Sequence, residues 1–194
     1  MPRLYPPKLH PIKSPLNDLS SPQSDELTPN QHQARPRHAP QVRLATLADT
    51  LPIATLHREA FTRQMDSETW VHATLSAAPR MLAFVLELEG EIAGYIFWAQ
   101  KSGIRPEATL ELDQIAVAGQ HRGRGFGEHL IKASLALVTE ALSSQGQRIK
   151  SVLVSTRADN AAQQLYAKVL GAKVVASIDG LYSATEVIML ATLN

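Results

Sequence analysis

The chain has 194 residues, 44% of them hydrophobic, and a formal net charge of +1: enough for one domain with a real core, or a domain plus a tail. The balanced charge leaves no bulk field for nucleic acid or an acidic membrane. The absence of cysteine excludes disulfides, zinc–thiolate sites and a cysteine nucleophile, and fits the reducing cytoplasm where the protein is expected. No apolar run approaches the roughly 20 residues of a membrane helix, and the N-terminus lacks the apolar stretch of a secretory signal.

Residues 1–40 hold nine of the twelve prolines, scattered serines and glutamines, and almost no periodic apolar pattern. Such a segment buries too little surface to offset its ordering entropy, and a disordered tail is expected, with a folded domain over residues 41–194. "VRLATL" (residues 42–47) reads as a short strand. "ADTLPIATLHREAF" reads as a helix with Pro52 in its first turn. "DSETWVHATLSA" reads as a second helix, with Ser67 as its N-cap and Trp70, Val71 and Leu75 on one face. "MLAFVLEL" and "EIAGYIFWAQ" are strand-like runs joined at Glu89-Gly90-Glu91, a hairpin signal.

"ATLELDQIAV" is a further strand, and its pattern changes phase. Leu110 and Leu112 alternate one way, Ile115 and Val117 the other. One extra residue near Asp113 or Gln114, a β-bulge, reconciles them and frees backbone groups at a strand edge. A strand buried on both faces gives the same pattern.

"GQHRGRGFGEHLIKASLALVTEAL" follows. Gly123, Gly125 and Gly127 alternate with Arg122, Arg124 and Phe126, and Gly127, Leu130, Ile131, Ser134, Leu135, Val138, Ala141 and Leu142 then keep helical spacing. Neither a G-x-x-x-x-G-K-[ST] loop nor G-x-G-x-x-G with a later acid is present. The spacing R-x-x-G-x-G suits a diphosphate held by main-chain amides at a helix start, the arginines adding charge; an ordinary surface turn is the plainer alternative. "KSVLVST" is a strand, "NAAQQLYAKVLG" a helix closed by Gly171, and "AKVVASI" and "TEVIMLAT" are the last strands. The order β-α-α-β-β-β-α-β-α-β-β predicts a mixed α/β sheet with helices on both faces.

"IAVAGQHRGRGFGEHLI" resembles the acetyl-CoA-binding motif of the GNAT N-acetyltransferases, and "STRADNAAQQLYAKVLGAKVV" (residues 155–175) resembles that family's second motif. The resemblance covers residues 41–194. It implies a mixed, mostly antiparallel central sheet with a bulged central strand, and an acetyl-CoA-dependent N-acyltransferase. It implies that Arg122, Gly123, Arg124, Gly125, Phe126 and Gly127 cradle the pyrophosphate. Ile115, Ala116 and Val117 would lie along the pantetheine arm, Asn160 would contact it, and Tyr166 would sit near the sulfur and protonate the departing thiolate.

Two positions depart from the family pattern. Ala172 stands where an aromatic is usual, and Ser155 stands where relatives that acetylate ribosomal-protein N-termini place a glutamate base. Glu111 and Asp113 are then the candidate bases, through water, with His72 behind them; a solvent-facing strand carboxylate is the ordinary reading of both. No HExxH, G-x-S-x-G or EF-hand pattern points to a metal or a serine hydrolase. The expected partners are acetyl-CoA and an amine acceptor, small molecule or protein, in a monomer or homodimer. Alternatives are a non-catalytic acyl-CoA-binding module and a toxin-like transferase acting on aminoacyl-tRNA, the latter disfavoured by the balanced charge. Residues 48–80 and 179–185 are expected to shape the acceptor site.

Overall fold

Apolar alternation in the strand segments and 3.6-residue spacing between them resolve into eleven elements. They are β1 (Gln41–Leu44), α1 (Thr50–Ala60), α2 (Ser67–Ser76), β2 (Met81–Leu88), β3 (Glu91–Gln100), β4 (Glu107–Val117), α3 (Phe126–Ser143), β5 (Arg148–Arg157), α4 (Ala162–Leu170), β6 (Lys173–Ile178) and β7 (Glu186–Thr192). Short 3-10 turns stand at Leu47–Asp49 and Gly119–His121. The order is the one read from the sequence. This computed structural model describes residues 39–193; the tail expected over residues 1–40 lies outside the described residues but for its last two.

The strands form one seven-stranded sheet in the order β1-β2-β3-β4-β5-β7-β6. Every pairing is antiparallel except β4 with β5, which α3 connects as a crossover. The β2–β3 hairpin turns on two residues, Glu89 and Gly90, both at positive φ (53° and 86°), the backbone that matches strand twist in so tight a loop.

Period-two alternation sends neighbouring side chains to opposite sheet faces, so the core has two halves. Phe84, Ile96, Trp98, Leu110 and Leu112 pack against α3 and α4 through Leu130, Ile131, Val138 and Tyr166. Val85, Tyr95, Phe97 and Ala116 pack against α1 and α2 through Ile53, Ala54, Leu56 and Val71. The helices thus cover both faces, as expected. Ala172, in place of an aromatic, is buried in the first of these halves.

Several local readings shift. Residue 66, not Ser67, caps α2: Asp66 adopts a left-handed backbone and its carboxylate accepts from the Thr69 N–H at 3.3 Å. Ser67 is buried inside the helix's first turn. Trp70 is half exposed, because it lies 100° round the helix from buried Val71. Ala141 is exposed beside buried Leu142, and the first strand ends at Leu44.

Candidate active site

The phase change in β4 is a bulge. Phe97 of β3 pairs with Gln114 and Trp98 with Leu112, so Asp113 is the extra residue. Leu112 and Ile115 accordingly face α3, while Gln114, Ala116 and Ala118 face α1 and α2. On its other side β4 pairs with β5 only as far as Glu111 with Leu153. Beyond that point β5 pairs with β7 alone, through Arg157 with Glu186. The two parallel strands part, and residues 112–117, which include Ile115, Ala116 and Val117, present an unpaired edge to the gap.

The glycine loop stands at the end of that edge. Gly123 and Gly125 have φ of 73° and 82°, a region costly to residues with a Cβ, and a Cβ at either would meet nothing within 4 Å. Gly127 has an ordinary backbone; its missing side chain instead lets Leu165 of α4 approach to 3.2 Å from where a Cβ would stand. The first amides of α3 have no partner in the preceding turn, and the helix dipole adds positive potential there. These open amides and the absent Cβ atoms fit a diphosphate.

The loop's side chains are held locally. The Nε of Arg122 donates to the Val117 carbonyl at 3.0 Å, tying the loop to the strand end. Arg124 lies 5.0 Å from the Phe126 ring centroid and contacts His121 at 3.2 Å. Glu128, in the first turn of α3, is ion-paired with Lys132 and Lys168, which hold its carboxyl down to about 2. A carboxylate that would compete with an anionic ligand is thereby occupied.

Across the gap, Asn160 is engaged at both side-chain atoms. It donates to Thr156 Oγ1 at 2.8 Å and accepts from the Ala162 N–H at 2.9 Å, starting α4. Tyr166 lies on the buried face of α4, and burial pushes its pKa up. Among the described residues no side chain or carbonyl hydrogen-bonds the Tyr166 hydroxyl, and burial is the sole cause of its raised pKa.

The two carboxylates on β4 have different surroundings. Glu111 is ion-paired with Lys101 at 2.9 Å and accepts from the Ser155 hydroxyl at 3.3 Å. Asp113 has no such partner among the described residues. Its side chain reaches solvent at the bulge, but the protein packed around its carboxyl and the nearby Glu111 charge raise its pKa, against the pull of Lys101. His72 is exposed on α2. The segments expected to shape the acceptor side meet where Arg63 donates to the Ser183 hydroxyl, near exposed Met65 and Tyr182.

Reading the sequence missed His57, fully buried on α1. Its spacing from Ile53 and Ala54, four and three residues earlier, was the available signal, because all three share one helix face. Lys101 and Gln114 had no signal: each acquires its partners only through the sheet.

The profile of the "Acetyltransferase (GNAT) family" matches residues 50–172. No curated protein matches the chain. Among solved structures, a GNAT-family acetyltransferase from Desulfovibrio desulfuricans is 18% identical, with a TM-score of 0.63 over 79% of this chain and 99% of its own. Ribosomal-protein-alanine N-acetyltransferase from Brucella melitensis is 20% identical, with a TM-score of 0.63 over 79% and 99%. Arabidopsis thaliana NAA60, in complex with a bisubstrate analogue, is 16% identical, with a TM-score of 0.64 over 80% and 100%. At these identities the likeness to solved structures is one of fold.

Proposed function

The chain belongs to the GNAT acetyltransferase family, and from that premise we propose that it moves the acetyl group of acetyl-CoA directly onto a primary amine of a small molecule or protein. The observation that carries this reading is the parting of β4 and β5 beyond Glu111, with the glycine loop at one end of the gap and Tyr166 on the helix that follows β5. In this reading Gly123, Gly125 and the first amides of α3 hold the diphosphate, and the freed edge at Ile115 and Val117 lines up the pantetheine arm. Arg122 and Arg124 supply charge, and Asn160 contacts the arm through the donor and acceptor capacity that its bonds to Thr156 and Ala162 leave free.

Asp113, with its raised pKa, takes a proton from the amine, directly or through water; Glu111 is committed to Lys101. The amine nitrogen then forms its bond to the acetyl carbon. A main-chain N–H on the open edge of β4 stabilises the negative charge gathering on the carbonyl oxygen. Tyr166 donates its proton to the sulfur as the carbon–sulfur bond breaks. Positioning both substrates in the gap supplies much of the acceleration.

The test is thiol release from acetyl-CoA across a panel of amines. The panel includes peptides with a free N-terminal alanine, because the Brucella relative is named as a ribosomal-protein-alanine N-acetyltransferase. Turnover on at least one amine supports the reading. Tight acetyl-CoA binding with no turnover identifies a binding module instead, and no measurable binding removes the reading altogether.

A further inference from the structure

The bulge at Asp113 redirects its neighbour. Continued alternation from Leu112 would aim Gln114 at α3; the extra residue turns it onto the α1–α2 side, where it is buried, paired with Phe97 and bonded to Tyr95 and His57. A buried primary amide is tolerated only with partners. Gln114 has one on each side. The Tyr95 hydroxyl donates to Gln114 Oε1 at 3.3 Å, and Gln114 Nε2 donates to His57 Nε2 across a long 3.5 Å. The opposite ring nitrogen of His57, Nδ1, donates to Ser67 Oγ at 2.9 Å.

All four residues are buried, and they come from β3, β4, α1 and α2. With the amide in this orientation the chain runs one way and requires a neutral imidazole with its proton on Nδ1. It offers nothing to a ligand. Its central member is instead the residue next to Asp113, and it is joined both to the strand beside the bulge and to the helices above it.

We propose that this hydrogen-bond chain sets the shape of the bulge, making Gln114 the residue that positions the Asp113 carboxylate. The inference rests on reading Asp113 as the group that takes the amine proton. Held at both ends, Gln114 cannot turn back toward α3, so Asp113 stays outside the β3–β4 ladder, beside Glu111. The other groups facing that carboxyl are Lys101, beyond the end of β3, and the Tyr95 phenol, whose own ionisation the Asp113 charge opposes. His57 lies behind them as the neutral member from α1. Removing the bonds of Gln114 loosens the bulge locally and lets water reach the Asp113 carboxyl, while the pairing of residues 115–117 with β3 is kept.

The experiment is a carbon-13 titration of the Asp113 carboxyl in the full chain, with calorimetric acetyl-CoA binding as control. Gln114→Met keeps length without polar atoms; it lowers the Asp113 pKa by about one pH unit, tenfold in proton affinity, while acetyl-CoA affinity stays within about twofold. Tyr95→Phe keeps the buried ring and breaks one bond, giving a smaller shift in the same direction, and it decides the matter if Gln114→Met does not fold. An Asp113 titration unchanged in the folded variant overturns the proposal. No amine enters this measurement, so its failure is distinguishable from failure of the amine panel: a shifted carboxyl in a protein that turns over no amine supports the positioning and defeats the catalytic reading.

Discussion

On the glycine-loop side of the gap the groups proposed to bind are main-chain amides, made available by two residues without a Cβ and by the start of one helix. On the α1–α2 side they are side chains, gathered from β3, β4, α1 and α2 and joined by hydrogen bonds between residues 10, 19 and 57 positions apart in the chain. The first kind of site depends on local conformation and tolerates change in distant segments. The second depends on the whole sheet being in register, and one lost partner leaves another buried and unsatisfied.

The contrast breaks most readily at Tyr166, where a single hydroxyl is asked to act in the chemical step. Tyr166→Phe keeps the ring in the α4 core and should lower kcat by about a hundredfold, in the usual range for a lost general acid. Acetyl-CoA affinity by calorimetry should remain near that of the parent. An undiminished kcat would remove Tyr166 from the reaction and leave it a core residue.

The glycine loop responds in the opposite way. Gly125→Val places a β-branched residue at a φ of 82°, which costs roughly 1–2 kcal/mol or more, so acetyl-CoA Kd should rise about tenfold. kcat at saturating acetyl-CoA should hardly move. Gly127→Ala sharpens the point, since only Leu165 stands in its way and its effect belongs in thermal stability. Equal losses of affinity in both variants would mean that α3–α4 packing, rather than loop conformation, governs binding.

This division also decided what the sequence could disclose. The turn into α3 was legible because glycines at alternate positions let the backbone bend tightly ahead of an amphipathic run, and Gly171 closes α4 in a left-handed conformation for the same local reason. The bulge was legible as a phase error between Leu112 and Ile115. The ground for proposing Asp113 over Glu111 was not, because it turns on Lys101, which reaches Glu111 only after β3 and β4 pair. The cap of α2 was misplaced by one residue, since the left-handed backbone of Asp66 has no signature distinguishing it from Ser67. His57 and Gln114 are 57 residues apart in the chain and meet only across the sheet.

A fourth variant probes the side-chain region through pH. Burial, only partly opposed by Gln64, depresses the pKa of His57 below its ordinary value. The folded state therefore favours the neutral ring, while the unfolded chain takes up a proton near pH 6.5. Below that value the unfolded state binds more protons, so stability falls as pH drops toward the folded pKa and is fully regained above the unfolded one. Urea unfolding at pH 8 and pH 5.5 should show this loss in the parent and a weaker one in His57→Gln. The Arg43-paired Asp49, held down to about 2, contributes only in a more acidic window. A pH dependence identical in the two proteins would mean that His57 carries no net proton linkage.

The smallest effect belongs to Glu128, where the two regions' rules meet in one residue. A carboxylate in the first turn of α3 is favoured by the helix dipole, yet it stands in the same turn as the amides proposed to hold another anion. Lys132 and Lys168 engage it instead, at 2.8 and 2.6 Å. Glu128→Gln removes the competing charge and releases both lysines to the field of the diphosphate. Because all three side chains are solvated, acetyl-CoA affinity should rise only about two- to threefold at low salt. The gain should vanish as added salt shortens the screening length. Calorimetry at two ionic strengths separates this from a direct role: an affinity that falls, and stays lower at high salt, would place the Glu128 carboxylate itself among the groups that hold the ligand.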